Sequence, residues 1–391
     1  MIPLAVPDLS GNEARYLQEC VDSTYVSSVG PFVERFEEIT AAACGTEDAV
    51  ATASGTAALH LALTAVGVGR DDLVLMPALT FIAPANAVSY TGARPLFLDS
   101  ARESWTLDPI ALQLFLQNDC ELSASGPIHR ASGQRLAAIL TVHTLGHPSD
   151  MGRLSAIANE WRLPLVADAA AAIGAEYRDR SAIAQATLSA VSFNGNKTVT
   201  CGGGGLVTGA DRNLLQRIRH LSTTARVGTN YDHDDIGFNY RMTNLQAAVG
   251  CAQMERLETL LAAKRRIADR YDAAFAGIEG LSPFPRAPWG QSAFWYCGTL
   301  IGDESSNTAD ELIAALNESG IGARQFWKPM HRQTPYRDNP RGPLAVTDDL
   351  WHRIVTLPCS SGLTETDQSF VIDTVRAAFA ERKCAPARLR N

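Results

Sequence analysis

The chain has 391 residues, 46% of them hydrophobic and 19% charged, enough for a large buried core and a smaller second domain. Its 34 basic and 42 acidic residues give a net charge of −8, and the basic ones gather only in short clusters such as Lys264-Arg265-Arg266 and the Arg-rich C-terminal tail, which argues against a nucleic acid partner. The closest two of the eight cysteines lie 24 positions apart, so no zinc-type pair exists and reduced thiols in the cytoplasm are expected; neither a secretory leader nor an apolar run of membrane-spanning length is visible.

From about residue 45, short apolar runs alternate with helical stretches. "AVATAS" precedes "GTAALHLALTAVGV", "DLVLMP" precedes "ANAVSYTGA", "PLFLD" precedes another helical stretch, "LAAILTVHT" precedes "SAIANEWRL", and "PLVAD" precedes "AAAAIGA". Apolar strands separated by helices predict an α/β fold with a mostly parallel central sheet covered on both faces. Ligands of such sheets collect at the carboxyl ends of the strands. Residues 118 to 134, polar with Gly, Ser and Pro, predict a surface loop or hairpin. The segment from 243 to 278 has helical spacing throughout and predicts one long connecting helix. Beyond the Pro-rich "PFPRAPWGQ", strand-like "FWYCGTLI" and "IVTLPC" alternate with helical "ADELIAALNESG" and "DQSFVIDTVRAAFAER". A large domain over 1–255 and a small α/β domain over 256–391 are expected.

Four stretches carry chemistry at expected strand ends, and each also has a plain structural use. In "SGTAALHLAL", Gly55 and Thr56 open a helix whose free amides and hydroxyl suit a phosphate, or simply cap the helix. In "PALTFIAPANAV", Phe81 sits in the turn after a strand, able to stack on a flat ring or to pack in the core. In "LPLVADAAAAIGA", Asp168 ends an apolar strand, where a carboxylate needs a cation or donors, or caps a following Ala-rich helix. In "SFNGNKTVTCGGGG", 29 positions later, Lys197 follows a strand, with Ser192 able to reach a phosphate and glycines 202 to 205 letting backbone pass close to a ligand. A buried lysine of lowered basicity is the nucleophile that condenses with carbonyl compounds. Aspartate before lysine, with phosphate binders on either side, fits pyridoxal phosphate: lysine at the aldehyde, aspartate at the ring nitrogen. A dinucleotide fold is set aside, since no G-x-G-x-x-G follows a first strand. His143 and His147 in "VHTLGHPSDM" lack an acidic third ligand in register, so no metal is expected there.

Taken in order, "SGTAALHLAL", "LTFIAPANAVSYTGARPLFLD", "VHTLGHPSDM", "VADAAAAIGA", "SFNGNKTVTCGGGG", "GFNYRMTNLQAAVGCAQMERL" and "PMHRQTPY" resemble the motifs of the DegT-type nucleotide-sugar aminotransferases over nearly the whole chain. "YVSSVGPFV", "SFNGNK" and "LSTTAR" look most like the branch that makes 4-amino sugars for bacillosamine- and legionaminic-acid-type pathways. The resemblance implies an aspartate-aminotransferase-like (fold type I) homodimer with active sites at the subunit interface. By the same resemblance, Lys197 is the Schiff-base lysine and Asp168 the partner of the pyridine nitrogen. Phe81 is the stacking aromatic, and Thr56, Ala57 and Ser192 bind phosphate, as does Asn239 of "GFNYR" from the neighbouring subunit. His331 of "PMHRQTPY" lies in a loop that faces the sugar nucleotide in this family.

Two positions depart from the family pattern. Ala171 stands where a polar side chain usually sits near the cofactor's 3-hydroxyl, and Ala167 replaces an acidic residue. The implied reaction moves an amino group from L-glutamate to a UDP-linked 4-keto-6-deoxy sugar, with C3 amination left open. Two alternatives stand beside it. The related sugar dehydratases normally carry histidine where Lys197 stands, which argues against that class. A non-catalytic cofactor-binding regulator draws weight from Ala171, yet would have no use for Asp168 with Lys197.

Overall fold

The computed structural model describes residues 1–380 except 125, 304 and 306, so Cys384 and the Arg-rich tail lie outside the described residues. Seven strands build the main sheet: β1 (Ala49–Thr52), β2 (Leu73–Pro77), β3 (Arg94–Leu98), β4 (Leu136–Val142), β5 (Leu165–Asp168), β6 (Leu188–Ser192) and β7 (Gly205–Thr208). Their spatial order is β1-β7-β6-β5-β4-β2-β3. The run from β3 to β6 is parallel, and β7 is antiparallel to both β1 and β6. Successive residues feed opposite faces: Leu73 and Leu75 enter one core, Val74 and Met76 the other. Both faces are therefore covered, which is why these strands read as continuous apolar runs rather than as alternating ones.

A second, antiparallel sheet holds β8 (Leu281–Pro283), β9 (Cys297–Ile301), β10 (Arg324–Gln325) and β11 (Ile354–Leu357) in the order β8-β9-β11-β10. The helices Ala309–Glu318 and Glu365–Ala380 share its apolar core. The chain's first residues join it too: Ile2 N–H donates to Gly320 O at 2.9 Å, and Gly322 N–H donates to Ile2 O at 2.8 Å. Residues 118 to 134 contain a hairpin, Cys120–Ser123 with Gly126–His129.

Two expected helices differ. The 243–278 segment is two helices, Asn244–Met254 and Leu257–Phe275, broken at Glu255 and Arg256. Arg256 leaves helical geometry at ψ 8° while its guanidinium grips Asp8 at 2.9 and 3.0 Å, a tertiary contact that periodicity does not report. The break lies where the two proposed domains meet. The second helix starts with Leu257, Leu260 and Leu261 in the main core and ends with Ile267, Tyr271 and Phe275 in the small one. Ala169 to Ala175 is a chain of turns rather than a helix, with Ala172 N–H donating to Ala169 O and Ala175 N–H to Ala172 O. The Asp168 carboxylate makes a cap-like bond to the Ala170 amide, but the ends of the segment are committed elsewhere: Ala169 N–H donates to Ala190 O at 2.8 Å, and Ala175 O accepts from Ala182 N–H at 3.0 Å. Among the described residues, no helix is long and apolar enough to cross a membrane.

Candidate active site

A cavity of about 550 Å³ lies at the carboxyl ends of β4, β5 and β6 and is closed from the other side by β10 and the residues before β9. Its walls bring together Gly55, Thr56, Phe81, Asp168, Ser192 and Lys197, six of the residues singled out in the sequence.

Ser54 connects β1 to the Gly55–Ala65 helix and caps it, its Oγ accepting from Ala57 N–H at 3.1 Å. Ala57, expected to bind phosphate, thus has its amide engaged already. The amides of Gly55 and Thr56 have no acceptor within the helix. Side chains are excluded where the backbone runs closest: a Cβ on Gly55 would sit 2.7 Å from Ser192 Cβ, and one on Gly205 would sit 2.5 Å from the Ser54 carbonyl carbon. The result is an anion-sized recess bounded by a helix N-terminus, Thr56 and Ser192.

Lys197 stands in a turn anchored at both ends. Phe193 N–H donates to Gly204 O at 3.0 Å, Cys201 N–H donates to Phe193 O at 2.9 Å, and the buried Phe193 ring packs edge-on against Phe36. Lys197 N–H closes the turn onto Asn194 O at 2.9 Å. The side chain is half-buried against the cavity, and its Nζ lies 3.4 Å from the centroid of the Trp295 ring, with no hydrogen bond or ion pair to the described residues. Desolvation lowers its pKa from 10.5 to about 8, opposed by the charge of Asp168.

Asp168 is only 6% exposed. Its Oδ1 accepts from Ala170 N–H at 2.9 Å, and Oδ2 has no hydrogen-bond partner among the described residues. Burial raises its pKa, with the Ala170 amide and Lys197 pulling the other way. The site therefore holds a costly buried carboxylate short of a partner, which suits a cationic N–H group of a ligand.

Phe81, 53% exposed, stands at the start of the Ile82–Tyr90 helix with its ring 5.7 Å from that of Trp327. Ala171 lines the cavity with a methyl group and adds no hydrogen bond to a ligand. Asn239 is exposed and outside this cavity. His331 is outside it as well: Met330 N–H is fixed to Ala78 O at 2.9 Å, which turns the neighbouring imidazole toward Asp348, 3.1 Å from Nε2, in a shallow surface pocket with Arg337 and Arg341. His143 and His147 each have a partner of their own. Ser149 N–H donates to His143 Nδ1 at 3.1 Å, Ala287 N–H donates to His147 Nε2 at 3.0 Å, and burial pushes both rings down to about 4.

The sequence reading missed Trp295, Tyr296, Arg324 and Trp327, all of which line the cavity. For Trp295 and Tyr296 the signal is the aromatic pair in "FWYCG", read as part of a strand; Arg324 and Trp327 carry no local signal.

An unpartnered strand-end carboxylate, an amine of reduced basicity and an anion recess are what pyridoxal phosphate needs for its ring nitrogen, aldehyde and phosphate, and the sheet that holds them is that of the aminotransferases. The chain belongs to the DegT/DnrJ/EryC1/StrS aminotransferase family, whose model matches residues 7–376, and it is a pyridoxal-phosphate-dependent enzyme of that class. It is 37% identical over 380 residues to a GDP-perosamine synthase of Caulobacter vibrioides, covering 97% of each chain. It is 32% identical to a GDP-perosamine synthase of Escherichia coli O157:H7, covering 97% of this chain and 99% of that one. Among solved structures, DesI in the presence of its TDP-sugar product superimposes with a TM-score of 0.86 at 27% identity, over 98% of this chain and 94% of that one.

Proposed function

We propose that this enzyme transfers an amino group from L-glutamate to the keto carbon of a nucleotide-linked 4-keto-6-deoxy sugar, as a cytoplasmic homodimer. The observation that carries the reading is the gathering of Lys197, Asp168 and the Gly55–Ser192 recess around one cavity. Relatives named for GDP- and TDP-linked sugars support a nucleotide-sugar acceptor. The GDP-linked substrate is favoured over the UDP-linked one of the sequence resemblance, because the 37% and 32% identical relatives carry GDP in their names.

Pyridoxal phosphate supplies an aldehyde that takes up the donor's amino group and a ring that accepts the electron pair released at the donor's α-carbon. Lys197, its pKa near 8, is unprotonated often enough at neutral pH to accept the α-proton on Nζ and later return one. Asp168 keeps a proton on the ring nitrogen through Oδ2, its free oxygen. Ser192, Thr56 and the Gly55 and Thr56 amides bind the phosphate, and Phe81 covers one face of the ring. Arg324 makes no ion pair among the described residues and offers its guanidinium to the donor's carboxylates. The exposed Asn239 is available to a neighbouring subunit.

The test has two stages. Borohydride reduction of the pyridoxal phosphate complex, followed by peptide mass mapping, should mark Lys197 alone. L-Glutamate should then convert the visible absorption to that of the amine form, and GDP-4-keto-6-deoxymannose should restore it with release of an amino sugar. Modification elsewhere, or an acceptor that is not a nucleotide sugar, sinks the proposal, while faster restoration by the UDP-linked sugar reverses the nucleotide assignment.

A further inference from the structure

The cluster Lys264-Arg265-Arg266 looks like solvated charge in the sequence, but Lys264 is only 4% exposed. Its Nζ donates to Trp295 O at 3.1 Å and to Cys359 O at 2.5 Å, with Cys359 Sγ 3.9 Å away. A buried ammonium is costly unless its donors are used, and here they are used on backbone that determines where Trp295 sits. Trp295 is held at three further points: its N–H donates to Leu145 O at 3.1 Å, its Nε1–H donates to Asn196 O at 2.8 Å, and its ring abuts that of Tyr296 at 4.3 Å. Asn196 directly precedes Lys197, so the indole is tied to the lysine's own turn. The face so fixed is the one over which Lys197 Nζ lies, 3.4 Å from the centroid.

We infer that Trp295 is a seat for the free Lys197 amine, and that buried Lys264 is the positioning residue that holds this seat in place. The inference rests on the reading of Lys197 as the catalytic amine. The negative face of the indole favours the ammonium over the neutral amine, in the direction opposite to desolvation. It retains the proton-carrying form of Lys197 beside the reacting atoms whenever the lysine is not joined to the cofactor. The other titratable or charged groups lining the cavity are Asp168 at the end of β5, His143 after β4, Tyr296 before β9 and Arg324 on β10. Asp168 acts in the same direction as the ring and Arg324 in the opposite one.

Fluorination of tryptophan weakens the ring face with little change of size. The full chain, which holds six tryptophans, is produced with 5,7-difluorotryptophan, and the pH dependence of Lys197 acetylation by acetic anhydride is followed by mass spectrometry. The measurement is made without cofactor and again with pyridoxamine phosphate. At pH values well below the midpoint, the fraction of reactive amine should rise about two- to tenfold. In Trp295→Phe the same labelling should leave the profile unmoved. Lys264→Met should shift the profile and Lys264→Arg restore part of it, a pattern that loss of packing alone does not produce. An unchanged profile in the fluorinated wild type, or an equal shift in fluorinated Trp295→Phe, overturns the inference. Because acetylation reads the amine itself, a failure of pyridoxal phosphate to attach at Lys197 would strike the functional reading and not this one.

Discussion

Replacing Gly55 with alanine puts a methyl group 2.7 Å from Ser192 Cβ and 3.1 Å from its hydroxyl oxygen. Carbon atoms in ordinary contact stand about 3.5 to 4.0 Å apart, so Ser192 or the helix start has to move by about 1 Å. Gly55 does not have a positive φ, so the backbone itself accepts alanine and only the contact remains. Overpacking of this kind costs about 1 to 3 kcal/mol. If relief comes from displacing Ser192 and the Gly55 and Thr56 amides from the phosphate, that cost falls on cofactor binding. At about 1.4 kcal/mol per factor of ten, pyridoxal phosphate should bind about 5- to 140-fold more weakly. The assay is a titration of the full chain with pyridoxal phosphate, followed by quenching of tryptophan fluorescence. Ser192→Gly removes the two nearest atoms and leaves only Ser192 Cα at 3.3 Å, so the double variant should bind nearly as well as Ser192→Gly alone. Unaltered affinity in Gly55→Ala, or losses that simply add in the double variant, would show that the recess is not where the phosphate sits.

Three further outcomes are expected. With its pKa lowered from 10.5 to about 8, Lys197 is deprotonated in the folded chain while the unfolded chain still holds that proton, so the cofactor-free protein should gain stability as pH climbs from 8 to 10.5; denaturant titrations should show this rise in wild type and its loss in Lys197→Met. Asp168→Asn keeps an oxygen for the Ala170 amide but removes a charge disfavoured by burial, so it should raise the urea midpoint of the cofactor-free chain while lowering turnover by about a hundredfold or more, the usual scale of a misplaced proton. If Asn239 serves the neighbouring subunit, mixing Lys197→Ala and Asn239→Ala chains under exchange conditions should regain activity that neither has alone, and steady inactivity of the mixture would place Asn239 outside the site.

The strand and helix runs, and the chemistry of Asp168 and Lys197, were legible because each is written locally: an apolar run of four to seven residues, a lone ionisable group at its end, a glycine where backbone passes close. The order of the motifs along the chain added the family and with it the cofactor. What local pattern could not supply were the contacts between distant segments. Arg256 breaks a periodic helix by reaching Asp8, and the Ala-rich segment 169–175 is held at both ends by backbone outside it, Ala190 and Ala182. His331 turns to Asp348 because Met330 is fixed to the end of the main sheet.

The sequence by itself determined which residue types stand at the strand ends, since hydrophobic periodicity and the demands of a buried charge act over a few neighbours. Only the tertiary structure decided that Trp295, 98 positions beyond Lys197, lies against its amine, and that Lys264 is buried beneath that tryptophan rather than solvated. Close packing of two cores around one connecting helix sets those distances, and no spacing along the chain encodes them.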